Sequence, residues 1–74
     1  MAVDIEIFGQ LLPNQPRRRT LELKESATAG DIAKRIGIKP EEIGLITIDG
    51  IQSNLEHSVH PDSRLCFFPY VSGG

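Results

Sequence analysis

Thr28-Ala29-Gly30-Asp31-Ile32-Ala33-Lys34-Arg35-Ile36-Gly37 is the stretch of this 74-residue chain on which the fold turns. The hydroxyl of Thr28 can accept a hydrogen bond from the free backbone donors of a first helical turn, and the acid three residues on reaches back toward it. Ile32, Ala33 and Ile36 share one face while Lys34 and Arg35 point away, and Gly37 suits the left-handed stop. The spacing predicts one short helix over residues 29–36.

The flanks of that helix read as strands. On the N-terminal side, Val3, Ile5 and Ile7 alternate with Asp4, Glu6 and Phe8, the period-two pattern of a half-buried strand. Residues 9–16 hold two prolines, a glycine and an asparagine and must turn. Leu21 and Leu23, alternating with Thr20, Glu22 and Lys24, then make a second strand and complete a hairpin. On the C-terminal side, Pro40-Glu41-Glu42 opens a single helical turn. Residues 45–48 form an apolar run ending in the hairpin dipeptide Asp49-Gly50, from which Ile51-Gln52-Ser53 returns. A polar loop from Asn54 to Ser63 leads into a last strand, Arg64-Leu65-Cys66-Phe67-Phe68. Strands before and after one helix in so short a chain give an α+β fold, a mixed sheet with the helix across one face. That is the layout of a ubiquitin-like β-grasp domain, here spanning residues 1–68, with 69–74 as a flexible tail.

Composition narrows the function. With 39% hydrophobic and 24% charged residues, this is an ordinary globular composition, and 74 residues leave little room for a bulky cofactor pocket. No apolar run approaches the roughly 20 residues of a membrane span, and the N-terminus has no signal-peptide pattern, so a cytoplasmic protein is expected. A net charge of −2 argues against general nucleic-acid binding. Arg17-Arg18-Arg19 reads as a solvated loop entering the second strand, or alternatively as an anion or partner site. Cys66 is the one cysteine. Flanked by apolar neighbours in a strand, it reads as a small inert hydrophobe, and no Cys/His spacing suggests zinc. His57 and His60 read as solvated loop histidines. No catalytic constellation and no bound cofactor are expected.

The tail is different. Six extended residues reach roughly 20 Å, far enough to enter a partner's active site. Pro69 stiffens the exit, and Gly73 and Gly74, lacking Cβ, pass through slots too narrow for other residues. A terminal carboxylate is ionised at neutral pH and is a poor electrophile, so chemistry on it requires activation, for which adenylation by ATP would supply the leaving group. The plainer alternative for a terminal Gly-Gly is a frayed end.

Phe67-Phe68-Pro69-Tyr70-Val71-Ser72-Gly73-Gly74 resembles the C-terminus of the MoaD/ThiS sulfur carriers, which often end Phe-Phe-Pro-Pro-Val-x-Gly-Gly; Tyr70 alone departs from it. Phe8-Gly9-Gln10-Leu11, the helix start at Thr28 and the Asp49-Gly50 turn fall where that family has similar segments. The resemblance implies that Gly74 is adenylated by a ubiquitin-activating-like adenylyltransferase using ATP and becomes a thiocarboxylate, with Val71, Ser72 and Gly73 threading into partners. It implies the small subunit of molybdopterin synthase, a non-catalytic sulfur donor to the large subunit, or to another sulfur acceptor. A thiamine-pathway carrier and a modifier conjugated to lysines are the alternatives. It also implies a partner interface of Phe8, Phe68, Pro69 and Tyr70. Phe8 lies out of phase with Val3, Ile5 and Ile7, and Phe68 only in part out of phase with Leu65 and Phe67, so a satellite core role for either ring stays open. Leu12 stands where relatives often carry a basic residue, and Gln52 where they often carry an apolar one.

Overall fold

The computed structural model describes residues 2–70. Its elements run β1 (Ala2–Ile7), β2 (Arg18–Glu22), β3 (Ala27–Thr28), α1 (Ala29–Ile36), a 3-10 turn (Pro40–Glu42), β4 (Ile43–Ile48), β5 (Ile51–Ser53), β6 (Ser58–Val59) and β7 (Arg64–Pro69). The main sheet has the order β2-β1-β7-β4-β5, with β1 and β7 parallel and every other pair antiparallel. The first and last strands are therefore central neighbours, joined only after the chain has crossed the sheet through α1. This is the expected α+β arrangement, a mixed sheet packed against one main helix.

Alternation along the strands sorts the two faces. Val3, Ile5 and Ile7 of β1, Leu65 and Phe67 of β7, and Ile46 and Ile48 of β4 are buried in one cluster with Ala29, Ile32 and Ala33 of α1. Phe67 is fully enclosed, and burying a side chain of that size contributes on the order of 2–3 kcal/mol. The helix is bounded as its sequence requires. Asp31 N donates to Thr28 Oγ1 and Thr28 N to Asp31 Oδ2, each at 3.1 Å, which closes the capping box. Gly37 takes φ +97° and donates to the carbonyl of Ala33, and the next residue, Ile38, repeats that bond while its side chain enters the core.

The tight turn between β4 and β5 also forms as read, Asp49 and Gly50 both taking positive φ, +53° and +82°. Asp49 does more than turn. Its Oδ1 accepts from Arg64 N at 2.9 Å and its own N–H donates to Arg64 O at 2.8 Å, tying the hairpin tip to the start of β7.

Four details differ from the sequence reading. β2 begins at Arg18, so Arg18 and Arg19 are strand residues, while Leu23 lies past the strand yet still in the core. β4 begins two residues earlier, at Ile43. β7 extends one residue further, to Pro69. The segment read as a plain polar loop contains β6, which pairs with β3 in a second small sheet. Val59 of that pair is 1% exposed, and Ser63 is buried, with its carbonyl accepting from Asp4 N at 3.0 Å. An isolated buried valine among polar residues gives no period, which is why this sheet was illegible.

Candidate functional site

Because α1 covers one face of the sheet, the other face is where strand side chains remain free to meet a partner. In β7 the alternation sends Leu65 and Phe67 toward the helix and Arg64, Cys66 and Phe68 to the open side. Phe68 is thus wholly, not partly, out of phase with Leu65 and Phe67. Phe8 N donates to Phe67 O at 2.9 Å, which carries the parallel pairing of β1 and β7 one residue beyond β1 and sets Phe8 beside Phe68. Their rings lie nearly parallel, 7° apart, with centroids at 4.4 Å. Both are half-buried and neither belongs to the helix-facing core.

Leu45 of β4 is the cross-strand partner of Phe68 and is exposed, so an apolar strip Phe8–Phe68–Leu45 crosses three strands. One row back, Cys66 lies between Glu6 and Thr47. It is a free thiol, buried at 8% exposure as a small hydrophobe in a strand would be, with these polar residues as its cross-strand partners. Further back the face is charged. Arg18 Nε lies 3.4 Å from Glu6 Oε2, Thr20 Oγ1 donates to Asp4 Oδ1 at 3.0 Å, and Arg64 sits opposite Asp4. The open face therefore grades from charged, where β7 begins, to apolar, where β7 ends.

At that apolar end the chain leaves the sheet. Pro69 is half-buried and Tyr70 is 65% exposed. A hollow of about 410 Å³ beside them is lined by Gln10, Leu11, Glu41 and Glu42 together with these two residues. Phe8, Phe68, Pro69 and Tyr70, which the sequence grouped, are thus gathered at one end of the sheet. Val71, Ser72, Gly73 and Gly74 lie outside the described residues. Leu12 packs against the core and Gln52 is exposed on β5.

The sequence reading missed Leu45, which strict alternation along β4 from Ile46 and Ile48 would have placed on the open face. It also missed the contacts of Gly9 and Gly44 with the tail exit, for which the sequence carries no pairing signal. Among the described residues no group of three or more His, Cys, Asp or Glu side chains is placed to hold a metal ion. His57 and His60 are exposed and line a shallow hollow with Ile51. No helix in the described residues is long and apolar enough to cross a membrane.

A five-stranded mixed sheet with central parallel terminal strands, one helix across it and an apolar strip beside the C-terminal exit defines a small ubiquitin-like β-grasp protein. The solved structures agree. SAMP1 from Haloferax volcanii superposes with a TM-score of 0.75 at 21% identity, all of each chain being covered. The Haloferax volcanii HVO 2177 protein gives 0.72 at 17% identity, covering all of this chain and 87% of that one. At such identities the likeness is one of fold. The chain belongs to the Mut7-C ubiquitin family, whose model matches residues 2–72. No curated protein sequence matches it.

Proposed function

We propose that this chain is a ubiquitin-like carrier whose Gly74 carboxylate is activated and then handed to a nucleophile. An oxygen of that carboxylate attacks the α-phosphorus of ATP on a ubiquitin-activating-like adenylyltransferase, forming an acyl adenylate and releasing pyrophosphate. Hydrosulfide sulfur then attacks the acyl carbon, AMP leaves with the bonding electrons, and the terminus becomes a thiocarboxylate. In this reading the groups that catalyse these steps belong to the partner enzymes, and the chain presents a carboxylate and a surface by which partners find it.

The observation that carries this reading is the coincidence of the Val71-Ser72-Gly73-Gly74 motif with the Phe8–Phe68–Leu45 strip, only Pro69 and Tyr70 standing between Phe68 and the motif. An exposed apolar strip next to the exit would anchor a partner while the slim tail enters its active site. The sulfur acceptor that the tail motif suggests is the large subunit of molybdopterin synthase, with a thiamine-pathway acceptor as the other sulfur route.

A second fate uses the same adenylate. A lysine amine in place of sulfur would give an isopeptide bond and make the chain a protein modifier. The ubiquitin family match favours this fate over the molybdopterin one.

Intact mass after incubation with ATP, sulfide and an activating enzyme tests the proposal. A gain equal to the exchange of one oxygen for sulfur supports the carrier, and higher bands on denaturing gels that disappear without ATP support the modifier. Neither product, and no ATP-pyrophosphate exchange with any activating enzyme tried, would leave a non-covalent binding module.

A further inference from the structure

Among the described glycines, the two that a Cβ would crowd most meet the same dipeptide. At Gly9, which has φ +68°, an added Cβ would sit 2.5 Å from Pro69 Cγ and 3.1 Å from Cδ. At Gly44 it would sit 2.7 Å from Pro69 O and 2.9 Å from both N and Cα of Tyr70. Elsewhere there is more room: Gly30 would meet Leu55 O at 3.1 Å, and Gly37 and Gly50 would meet nothing within 4 Å.

The two glycines come from different elements. Gly9 follows Phe8 off β1, turns with its positive φ and lies against the ring of Pro69. Gly44 is the extra residue of the bulge in β4, where Ile43 pairs with Pro69 and Leu45 with Phe68. The Pro69–Tyr70 peptide is thus held from both sides at the point where the chain leaves the sheet. Neither approach is available to a residue with a side chain, because the atoms in the way are a proline ring and backbone, which cannot swing aside.

We propose that Gly9 and Gly44 are positioning residues that fix the pivot and direction of the C-terminal tail relative to the Phe8–Phe68–Leu45 strip. The inference rests on the Gly74 chemistry proposed above. Four residues separate Tyr70 from the terminus, a reach of at most about 14 Å when extended. A partner docked on the strip and waiting for the carboxylate at a set distance needs the pivot held. A displacement of about 1 Å at a reacting group costs on the order of 100-fold in rate. The hold on Pro69 and Tyr70 sets where entry into a partner's slot begins.

The test is ATP-pyrophosphate exchange with the cognate activating enzyme, comparing Gly9→Ala, Gly44→Ala and Pro69→Ala with the wild-type chain and with Gly37→Ala. Gly37→Ala also forces a positive φ on alanine, at +97° against +68° for Gly9→Ala, but meets no neighbour, so it controls for lost stability. The expected result is a fall in kcat of roughly 10- to 100-fold for the clamp variants, with KM for the chain within a few-fold because the docking strip is intact. Gly37→Ala should keep the wild-type kcat. Pro69→Ala leaves both glycines in place and removes only the ring that Gly9 holds, so it answers the question even if an alanine at 9 or 44 prevents folding. Wild-type kcat in the folded variants, or an equal loss in Gly37→Ala, overturns the inference. No exchange by the wild-type chain would instead mean that the proposed function fails.

Discussion

Phe8 and Phe68 lie ring against ring, 4.4 Å between centroids, although one directly follows the first strand of the chain and the other nearly ends the last. Parallel pairing of β1 with β7 creates this contact, so the pair exists only in the completed fold. A stacked aromatic pair contributes about 0.5–1.5 kcal/mol beyond its buried area. Urea unfolding of Phe8→Ala, Phe68→Ala and the double variant should return a coupling energy in that range. A coupling near zero would mean that the rings are merely adjacent. In the same variants, binding to the activating enzyme should weaken at least tenfold if the strip is the anchor.

Phe67 and Phe68 are sequence neighbours on opposite faces, and truncating them should separate stability from recognition. Phe67→Ala empties the middle of the core and should cost about 3–5 kcal/mol, a large share of the roughly 5–15 kcal/mol that holds a domain together. Phe68→Ala should cost about 1 kcal/mol or a little more. Thermal melts of the two variants decide this. Equal losses would mean that the open face is packed as tightly as the helix side.

The capping box at the start of α1 predicts a smaller effect. Thr28→Ala removes the acceptor for Asp31 N and should destabilise the protein by about 1 kcal/mol, whereas Thr28→Ser, which keeps the oxygen, should cost a few tenths. If Thr28→Ser costs as much as Thr28→Ala, the methyl group and not the cap is what α1 uses.

These same elements mark what the sequence could reveal. The cap, the helix, the left-handed Gly37 and the Asp49-Gly50 turn are local, each set by hydrogen bonds or dihedral preferences within a few residues, and all four appear where the sequence puts them. The helix-facing residues of β1 followed from period-two alternation. What the sequence hid was pairing between distant segments. The β3–β6 sheet, the pairing of Leu45 with Phe68 and the two glycines against Pro69 depend on which strand lies beside which, and no periodicity encodes that. The aromatic pair was legible as two residues, while its stacking needed the parallel register.

Asp49 gives a further test, because its side chain and backbone both bond to Arg64. Asp49→Ala leaves Arg64 N–H without its side-chain acceptor and forces a positive φ on alanine, so a loss of about 1–3 kcal/mol is expected. Asp49→Asn keeps an amide oxygen and tolerates the left-handed conformation, and should lie within about 1 kcal/mol of wild type. Asp49→Gly relieves the dihedral but not the missing acceptor and should fall between them. Chemical denaturation of the three ranks them. Alanine no worse than asparagine would show that the tie between the hairpin and β7 adds nothing to stability.

Removing Gly73 and Gly74 is the variant that separates fold from function most cleanly. The packed elements end at Pro69, and every buried residue named in the core precedes it. The melting temperature of the shortened chain should therefore match that of the full chain to within about 1–2 °C, the shift that a few tenths of a kcal/mol produces in a domain of this size. Adenylate formation should vanish, since the acyl carbon would move two residues, about 7 Å, back toward the sheet. Binding to the activating enzyme through the Phe8–Phe68–Leu45 strip should persist, and the shortened chain should compete with the full one for that enzyme. Competition without turnover is the outcome that places recognition on the sheet and chemistry on the terminus. A large drop in melting temperature would tie the tail to the folded core, and undiminished adenylation would detach the reaction from Gly74.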